Sequence, residues 1–289
     1  MILNASGCLD ALTAPDVALQ LDCFVTKTVT PLPRGGNPPT RIAETAVGML
    51  NSIGLANPGI DRFLAAHLQE LGALGLRLWV SVGGFSAEEY ARSCALLDAC
   101  DEVEALELNL SCPNVEEAAE TAAQIVAACR AATTKPLWAK LSPANWDIAA
   151  SARAVEAAGA DGLSLVNTIR GLALDPHTNR PSLHTATGGL SGPALKSIAL
   201  AAVFQCRRVS ALPIVGMGGV WNGRDAFELL AAGATAVALG TVLFADPGAP
   251  SRIAHELRDE LARFGLRSPQ EASGIAHDHA VSFQRGSGA

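Results

Sequence analysis

The chain has 289 residues, 49% of them hydrophobic, and a formal net charge of -7. That length and apolar content suffice for a full core, while the acidic balance argues against nucleic acid, whose phosphates need a basic surface. No apolar run approaches the roughly 20 residues that cross a bilayer, no signal peptide opens the sequence, and the expected location is cytoplasmic.

Short apolar runs alternate with Ala-rich amphipathic stretches along nearly the whole length. Strands are expected at residues 24–27, 48–53, 78–82, 105–110, 137–141, 162–166, 213–216 and 236–239. Helical periodicity fills the gaps, at 61–74, 87–97, 116–131, 145–158, 193–207, 224–231 and 251–264. Asn145 and Asn222 stand where N-caps belong, and Gly159 and Gly233 where helices end. Eight strands with crossover helices predict an α/β fold, a (β/α)8 TIM barrel with parallel strands, the rival being an open doubly wound sheet. Residues 1–270 form one domain in this reading, and 271–289 a polar, flexible C-terminal tail. Two long connections, 30–49 and 170–192, are rich in Pro, Gly and charge and are expected to line the mouth of the barrel.

Seven cysteines, Cys8, Cys23, Cys94, Cys100, Cys112, Cys129 and Cys206, form no C-x-x-C pair. Their odd number and scatter suit reduced thiols rather than a disulfide frame, zinc site or iron–sulfur ladder, so no metal is expected on this chain. Cys112 stands apart. The run Leu106-Glu107-Leu108-Asn109-Leu110-Ser111-Cys112-Pro113-Asn114 reads as a buried strand ending in two amides, a hydroxyl and a thiol, with Pro113 stopping the ladder. A thiol there is placed to move protons, whereas most cysteines are small buried hydrophobes.

Barrel active sites form where strands finish. The expected strands end in Lys27, Asn51, Asn109 (with Asn114 just beyond), Lys140 and Asn167-Thr168. Single loop asparagines are usually turn formers, but four at one mouth suit a flat neutral edge of alternating C=O and N–H groups, such as a pyrimidinedione. The chain has only four lysines, Lys27, Lys135, Lys140 and Lys196, and two of them end strands. A compact ammonium there could bind an anionic substrate group or stabilise charge developing on a cofactor. In the final third, residues 188–192, 216–219 and 240–241 are glycine-rich. Glycines after strands seven and eight let backbone N–H groups approach a phosphate.

Taken together these residues resemble class 1 dihydroorotate dehydrogenases, in particular the NAD-linked class 1B catalytic subunit. The likeness runs from Asn4-Ala5-Ser6-Gly7 through Lys27-Thr28-Val29-Thr30, Gly36-Asn37-Pro38 and Gly48-Met49-Leu50-Asn51-Ser52-Ile53-Gly54-Leu55. It continues through the Asn109–Asn114 run, Asn167-Thr168-Ile169-Arg170-Gly171 and Thr187-Gly188-Gly189-Leu190-Ser191-Gly192-Pro193. The resemblance implies FMN across the barrel mouth with dihydroorotate or orotate stacked on it, in pyrimidine biosynthesis. Cys112 would be the base at C5, and hydride would pass from C6 to the flavin. Lys27, Asn51, Ile53, Gly54, Leu55, Asn109, Asn114, Asn167 and Thr168 would grip the substrate. Ser6, Gly7, Lys27, Thr28, Asn109, Lys140, Val166 and Asn167 would hold the flavin ring and ribityl chain, and Ser191, Gly192, Gly218, Gly219, Gly240 and Thr241 its phosphate end.

Two departures from the family pattern stand out. Where its members usually carry a glycine-rich loop after the asparagine, Val115-Glu116-Glu117 leads directly toward a helix, and no hairpin precedes Asn4. The resemblance also implies a homodimeric core and a separate electron-transfer subunit carrying FAD and a 2Fe-2S cluster, forming a heterotetramer. Three other readings remain open. They are a dihydropyrimidine dehydrogenase-like FMN barrel acting on uracil or thymine, a non-catalytic barrel binding FMN and ligand, and a flavin-free phosphate-binding isomerase or lyase.

Overall fold

Alternation of side chains along each strand sorts the core into two clusters. Leu78, Val80 and Val82 join the large cluster beneath the helices, while Trp79 between them joins a second, smaller one. The same division separates Leu106 and Leu108 from Ala105, and Ile214 from Val215 and Met217. Two buried faces on one sheet call for a closed parallel barrel, a helical shell outside and a packed interior within.

The computed structural model describes residues 1–110 and 119–277. Its strands are β1 (Ile2–Asn4), β2 (Phe24–Val25), β3 (Ile42–Thr45), β4 (Gly48–Asn51), β5 (Leu78–Val82), β6 (Val103–Asn109), β7 (Leu137–Leu141), β8 (Gly162–Leu165), β9 (Ile169–Leu172), β10 (Thr187–Ser191), β11 (Ile214–Met217) and β12 (Ala236–Leu239). The eight-stranded sheet runs β1-β12-β11-β8-β7-β6-β5-β2, with every pairing parallel. A parallel bridge between Leu3 and Cys23 brings its two ends together. Across that seam the buried Asn4 amide donates to Val25 O at 2.7 Å and accepts from Val25 N at 2.8 Å. The TIM barrel expected from the sequence is therefore the fold.

The membership of the barrel differs from expectation in one strand. Residues 48–53 were expected to form its second strand. The segment instead supplies β4 of a separate antiparallel sheet, ordered β3-β4-β10-β9. Only Leu50 of β4 is buried, as in a sheet with one wet face, whereas all three residues of β1 are buried. β1 is the eighth barrel strand, and three residues are too few for periodicity to register. The antiparallel sheet is built from the two long connections, which follow β2 and β8 and so stand at the C-terminal mouth.

The shell helices follow expectation, with local corrections at their starts. Ser86 caps Ala87–Asp98 and Asn222 caps Gly223–Ala231 in a capping box with Asp225. Asp147 rather than Asn145 caps Ile148–Ala157, accepting from Ala150 N; the Asn145 side chain donates to Ser151 Oγ instead. Residues 271–277, expected to belong to a flexible tail, are packed on the barrel. Pro269–Ala272 is helical, Ala272 is fully buried, and the His277 ring stacks on Phe204 at 4.1 Å. His277 Nε2 lies 2.9 Å from Ala232 O. No helix among the described residues is long and apolar enough to cross a membrane.

Candidate functional site

The interior changes character along the barrel axis. At the N-terminal end Trp79 and Trp138 pack with ring centroids 4.6 Å apart over Leu3, Cys23, Val25 and Met217. Gly162 makes room for this pair, since a Cβ there would lie 2.4 Å from the Trp138 ring. One layer further, Lys140 and Glu107 form an ion pair at 3.4 Å with side chains only 4% and 2% exposed. Lys140 Nζ also donates to Ser6 Oγ at 2.8 Å. A buried pair of this kind stands only if both charges are satisfied, so Ser6 after β1, Glu107 of β6 and Lys140 of β7 form one unit.

Above it lies a connected run of amides and hydroxyls. Asn109 Nδ2 donates to Thr28 Oγ1 at 3.1 Å, and Asn167 Nδ2 donates to Asn109 Oδ1 at 3.1 Å. Thr28 Oγ1 also shares a proton with Ser81 Oγ at 3.0 Å, and Asn167 Oδ1 accepts from Thr168 N at 2.8 Å. Asn109, Thr28 and Ser81 are buried. Val166, the buried residue before Asn167, donates its N–H to Met217 O at 2.9 Å.

Lys27 stands beside this run, exposed in the mouth. Gly7 turns the chain at φ 79°, a conformation that favours glycine, and a Cβ there would be in ordinary contact with Lys27 Nζ at 3.5 Å. Displacement of water by the surrounding protein lowers the Lys27 pKa from its ordinary value, and Arg41 lowers it further against an opposing contribution from Cys8. The neighbouring Cys8 thiol is pushed up by burial, with Lys140 and Lys27 pulling the other way.

Ile53, Gly54 and Leu55 follow β4. Ile53 O accepts from Asn37 N at 3.1 Å. Gly54 and Leu55 are both left-handed, with φ of 71° and 56°, and a leucine held there is uncommon. Successive residues of this kind turn neighbouring N–H groups into an anion-binding concavity. Asn51 is tied to the sheet over the mouth, donating to Gly189 O at 3.3 Å.

The third group lies at the ends of β10, β11 and β12. Thr241 Oγ1 donates to Ser191 Oγ at 2.8 Å. Gly192, Gly218 and Gly219 have φ of 94°, 123° and 75°. At Gly219 a Cβ would fall 2.8 Å from Lys196 N, and at Gly240 it would meet Cys8 Sγ at 3.7 Å. Gly188 and Gly189 belong to β10 rather than to a phosphate turn: a Cβ on Gly189 would strike Thr168 Oγ1 at 2.1 Å.

Of the expected site residues, then, Lys27, Thr28, Asn109, Asn167 and Thr168 come together, as do Ser6 with Lys140, and Ser191 with Thr241. Cys112 and Asn114 lie outside the described residues. Sequence reasoning gave no role to Glu107, Ser81 or Asp225. An acid inside the run Leu-Glu-Leu-Asn was a readable signal for Glu107. Asp225 accepts Lys196 Nζ at 2.5 Å and the N–H groups of Trp221 at 2.9 Å and Asn222 at 3.2 Å. It thereby fixes the loop that follows Gly219. Burial works against the charged form of Lys196, but hydrogen bonds to Asp225 and Glu228 outweigh it and raise the pKa.

The family model described as dihydroorotate dehydrogenase matches residues 1–261. A dihydroorotate dehydrogenase B (NAD(+)) catalytic subunit from Trichlorobacter lovleyi is 46% identical over 254 residues, covering 86% of this chain and 84% of its own. One from Listeria monocytogenes is 43% identical over 259 residues, covering 87% and 85%. The crystal structure of DHODH from Eimeria tenella in complex with ferulenol superposes with a TM-score of 0.80 at 22% identity, covering 96% of this chain and 85% of that one. That likeness speaks for the fold. The match of the family model across nearly the whole barrel, together with relatives above 40% identity, places this chain in the dihydroorotate dehydrogenase family.

Proposed function

We propose that this chain is the catalytic subunit of an NAD-linked dihydroorotate dehydrogenase, oxidising dihydroorotate to orotate on bound FMN in the cytoplasm. The observation that carries the reading is the Thr28–Asn109–Asn167 run beside Lys27, at the mouth of a barrel whose relatives bear that name.

The residues fit the cofactor. Ser191, Gly192, Gly218, Gly219, Gly240 and Thr241 offer hydroxyls and close-approach backbone at the loops where barrels usually hold phosphate. Ser6, Gly7, Lys27, Thr28, Asn109, Lys140, Val166 and Asn167 would hold the ring and ribityl chain. When bound, FMN would supply the acceptor for the single hydride that leaves C6. Lys140, kept in place by Glu107 and Ser6, presents positive charge from below.

Substrate recognition follows from the donors and acceptors. Asn51, Asn109, Asn114, Asn167 and Thr168 would read the edges of the pyrimidine ring, each amide both donating and accepting. Lys27 and the left-handed turn Ile53-Gly54-Leu55 would take the carboxylate, joining an ammonium to backbone N–H groups. Cys112, as thiolate, would remove the proton from C5 of dihydroorotate. A free thiol titrates near about 8.5, so a modest lowering gives a useful thiolate population.

The relatives' description as catalytic subunits supports a second chain that carries electrons onward. In this proposal that subunit holds FAD and a 2Fe-2S cluster and docks on a homodimer of this chain as a heterotetramer.

Anaerobic addition of dihydroorotate to the FMN-loaded protein tests the reading. Bleaching of the flavin absorbance by dihydroorotate, and much weaker bleaching by dihydrouracil, is the expected result. Bleaching by dihydrouracil alone would move the assignment to a dihydropyrimidine dehydrogenase-like barrel, and none by either would refute catalysis.

A further inference from the structure

Tyr90 is the only tyrosine in the chain, and its side chain is completely buried. It lies in Ala87–Asp98, a helix of the outer shell, one turn after the Ser86 cap. Packing alone would be served by phenylalanine, and a buried phenol needs a partner for its O–H. That partner is specific. Tyr90 Oη donates to the backbone carbonyl of Asn109 at 2.5 Å.

Asn109 is the last residue of β6, and its side-chain amide joins Thr28 to Asn167. On the opposite flank Leu110 N–H donates to Lys140 O at 3.2 Å. The exit of β6 is thus held from the helical shell by a hydroxyl and from β7 by the ladder. The approach of the ring is built in as well, because a Cβ on Gly84 would lie 3.0 Å from Tyr90 Cδ2.

We infer that Tyr90 is a positioning residue for substrate recognition: its hydroxyl fixes the backbone at Asn109 and so aims the amide that bridges Thr28 and Asn167. The inference rests on the function proposed above. Loss of the hydroxyl lets the strand exit relax, and the amide no longer meets the pyrimidine edge at full strength.

Tyr90→Phe keeps the ring and removes the hydroxyl, and with it the bond to the Asn109 carbonyl. In the FMN-loaded protein this variant should weaken orotate binding about tenfold, the scale of one lost hydrogen bond, and slow flavin reduction by dihydroorotate to a similar degree. FMN affinity should fall much less than orotate affinity, because the phosphate end keeps its own contacts at Ser191 and Thr241. A purely structural tyrosine would lower the melting temperature and leave the orotate dissociation constant of the folded protein where it was, which would overturn the inference.

A second measurement needs no mutation. Because residue 90 is the sole tyrosine, growth on fluorotyrosine places one fluorine label at that position, and its NMR line should move on addition of orotate. A line indifferent to saturating orotate also overturns the proposal. Failure of the underlying reading looks different, since wild-type flavin would then not be bleached by dihydroorotate at all.

Discussion

The two ends of the barrel interior are equally buried and chemically opposite. At the floor, Trp79, Trp138, Cys23, Val25 and Met217 fill the space with apolar atoms. Under the mouth the inward positions carry Ser81, Glu107, Asn109 and Lys140, all buried. Burying such groups costs free energy unless each is paired, and the network they form is the means by which the fold tolerates them. The floor is arranged for stability and, in the function proposed, the mouth for a ligand. Cysteines show the same contrast: burial pushes Cys23 at the floor up to about 12, which makes it an inert core thiol, whereas the role proposed for Cys112 needs a thiolate near neutrality.

Substitutions at the two ends should therefore fail in different assays. The largest effect belongs to Cys112→Ala. It should keep its flavin and its melting temperature while dihydroorotate reduces the flavin roughly 10²–10⁴-fold more slowly, as rapid anaerobic mixing would show. Wild-type rates in that variant would remove Cys112 from the chemistry.

Next comes the layer between the ends. Glu107→Leu leaves Lys140 buried without its partner and should cost about 3–5 kcal/mol in denaturant unfolding. Flavin content should fall as well, since Lys140 loses its anchor. Gly162→Ala at the floor forces a methyl into the Trp138 ring and should cost about 1–3 kcal/mol by overpacking. Orotate affinity of the folded fraction should not change. A floor variant that stays stable yet binds orotate poorly would dissolve the contrast.

The smallest effect is a pH dependence at Lys27, whose pKa the surrounding protein lowers. Below that lowered value the ammonium is charged and grips the substrate carboxylate. As pH rises through it the grip is lost, so orotate affinity should fall about tenfold per pH unit at a lower pH than an ordinary lysine would give. Linkage runs consistently with this. Between the lowered and the ordinary value the unfolded chain holds the proton that the folded chain has released. Lys27 therefore detracts from stability at neutral pH, and the loss is recovered as pH rises through that window. An orotate affinity flat up to the ordinary lysine range would show that the carboxylate is held elsewhere.

Much of this organisation was legible in the sequence, for reasons that differ by residue. The strands at 78–82, 137–141 and 236–239 match the structure because each is a short, mainly apolar run between helices. β1 escaped notice through brevity, and residues 48–53 passed for a barrel strand because an apolar run does not reveal whether its partners are parallel. Glycines at 188–189 looked like phosphate binders, but their need is steric, set by Asn51 and Thr168 across the sheet. Glu107 was visible as an odd acid in a strand, but its partner lies 33 residues away. Tyr90 meets Asn109 across 19 residues through the barrel wall, a contact that no local pattern encodes. The motif around Cys112 and Asn114 lies outside the described residues and stands as a reading of the sequence.

Asn109 joins both halves of this account, since it is buried like the floor and hydrogen-bonded like a binding site. The most direct test is Asn109→Ala in the FMN-loaded protein, with orotate affinity read from the flavin spectrum and stability from thermal melting of the same sample. Orotate binding weakened at least about tenfold, and by more than flavin binding, in a protein that still folds but has lost about 1–3 kcal/mol of stability with the pairing of Thr28 and Asn167, is the predicted result. Orotate binding at wild-type affinity would contradict it, and the polar layer under the mouth would then have no part in recognition.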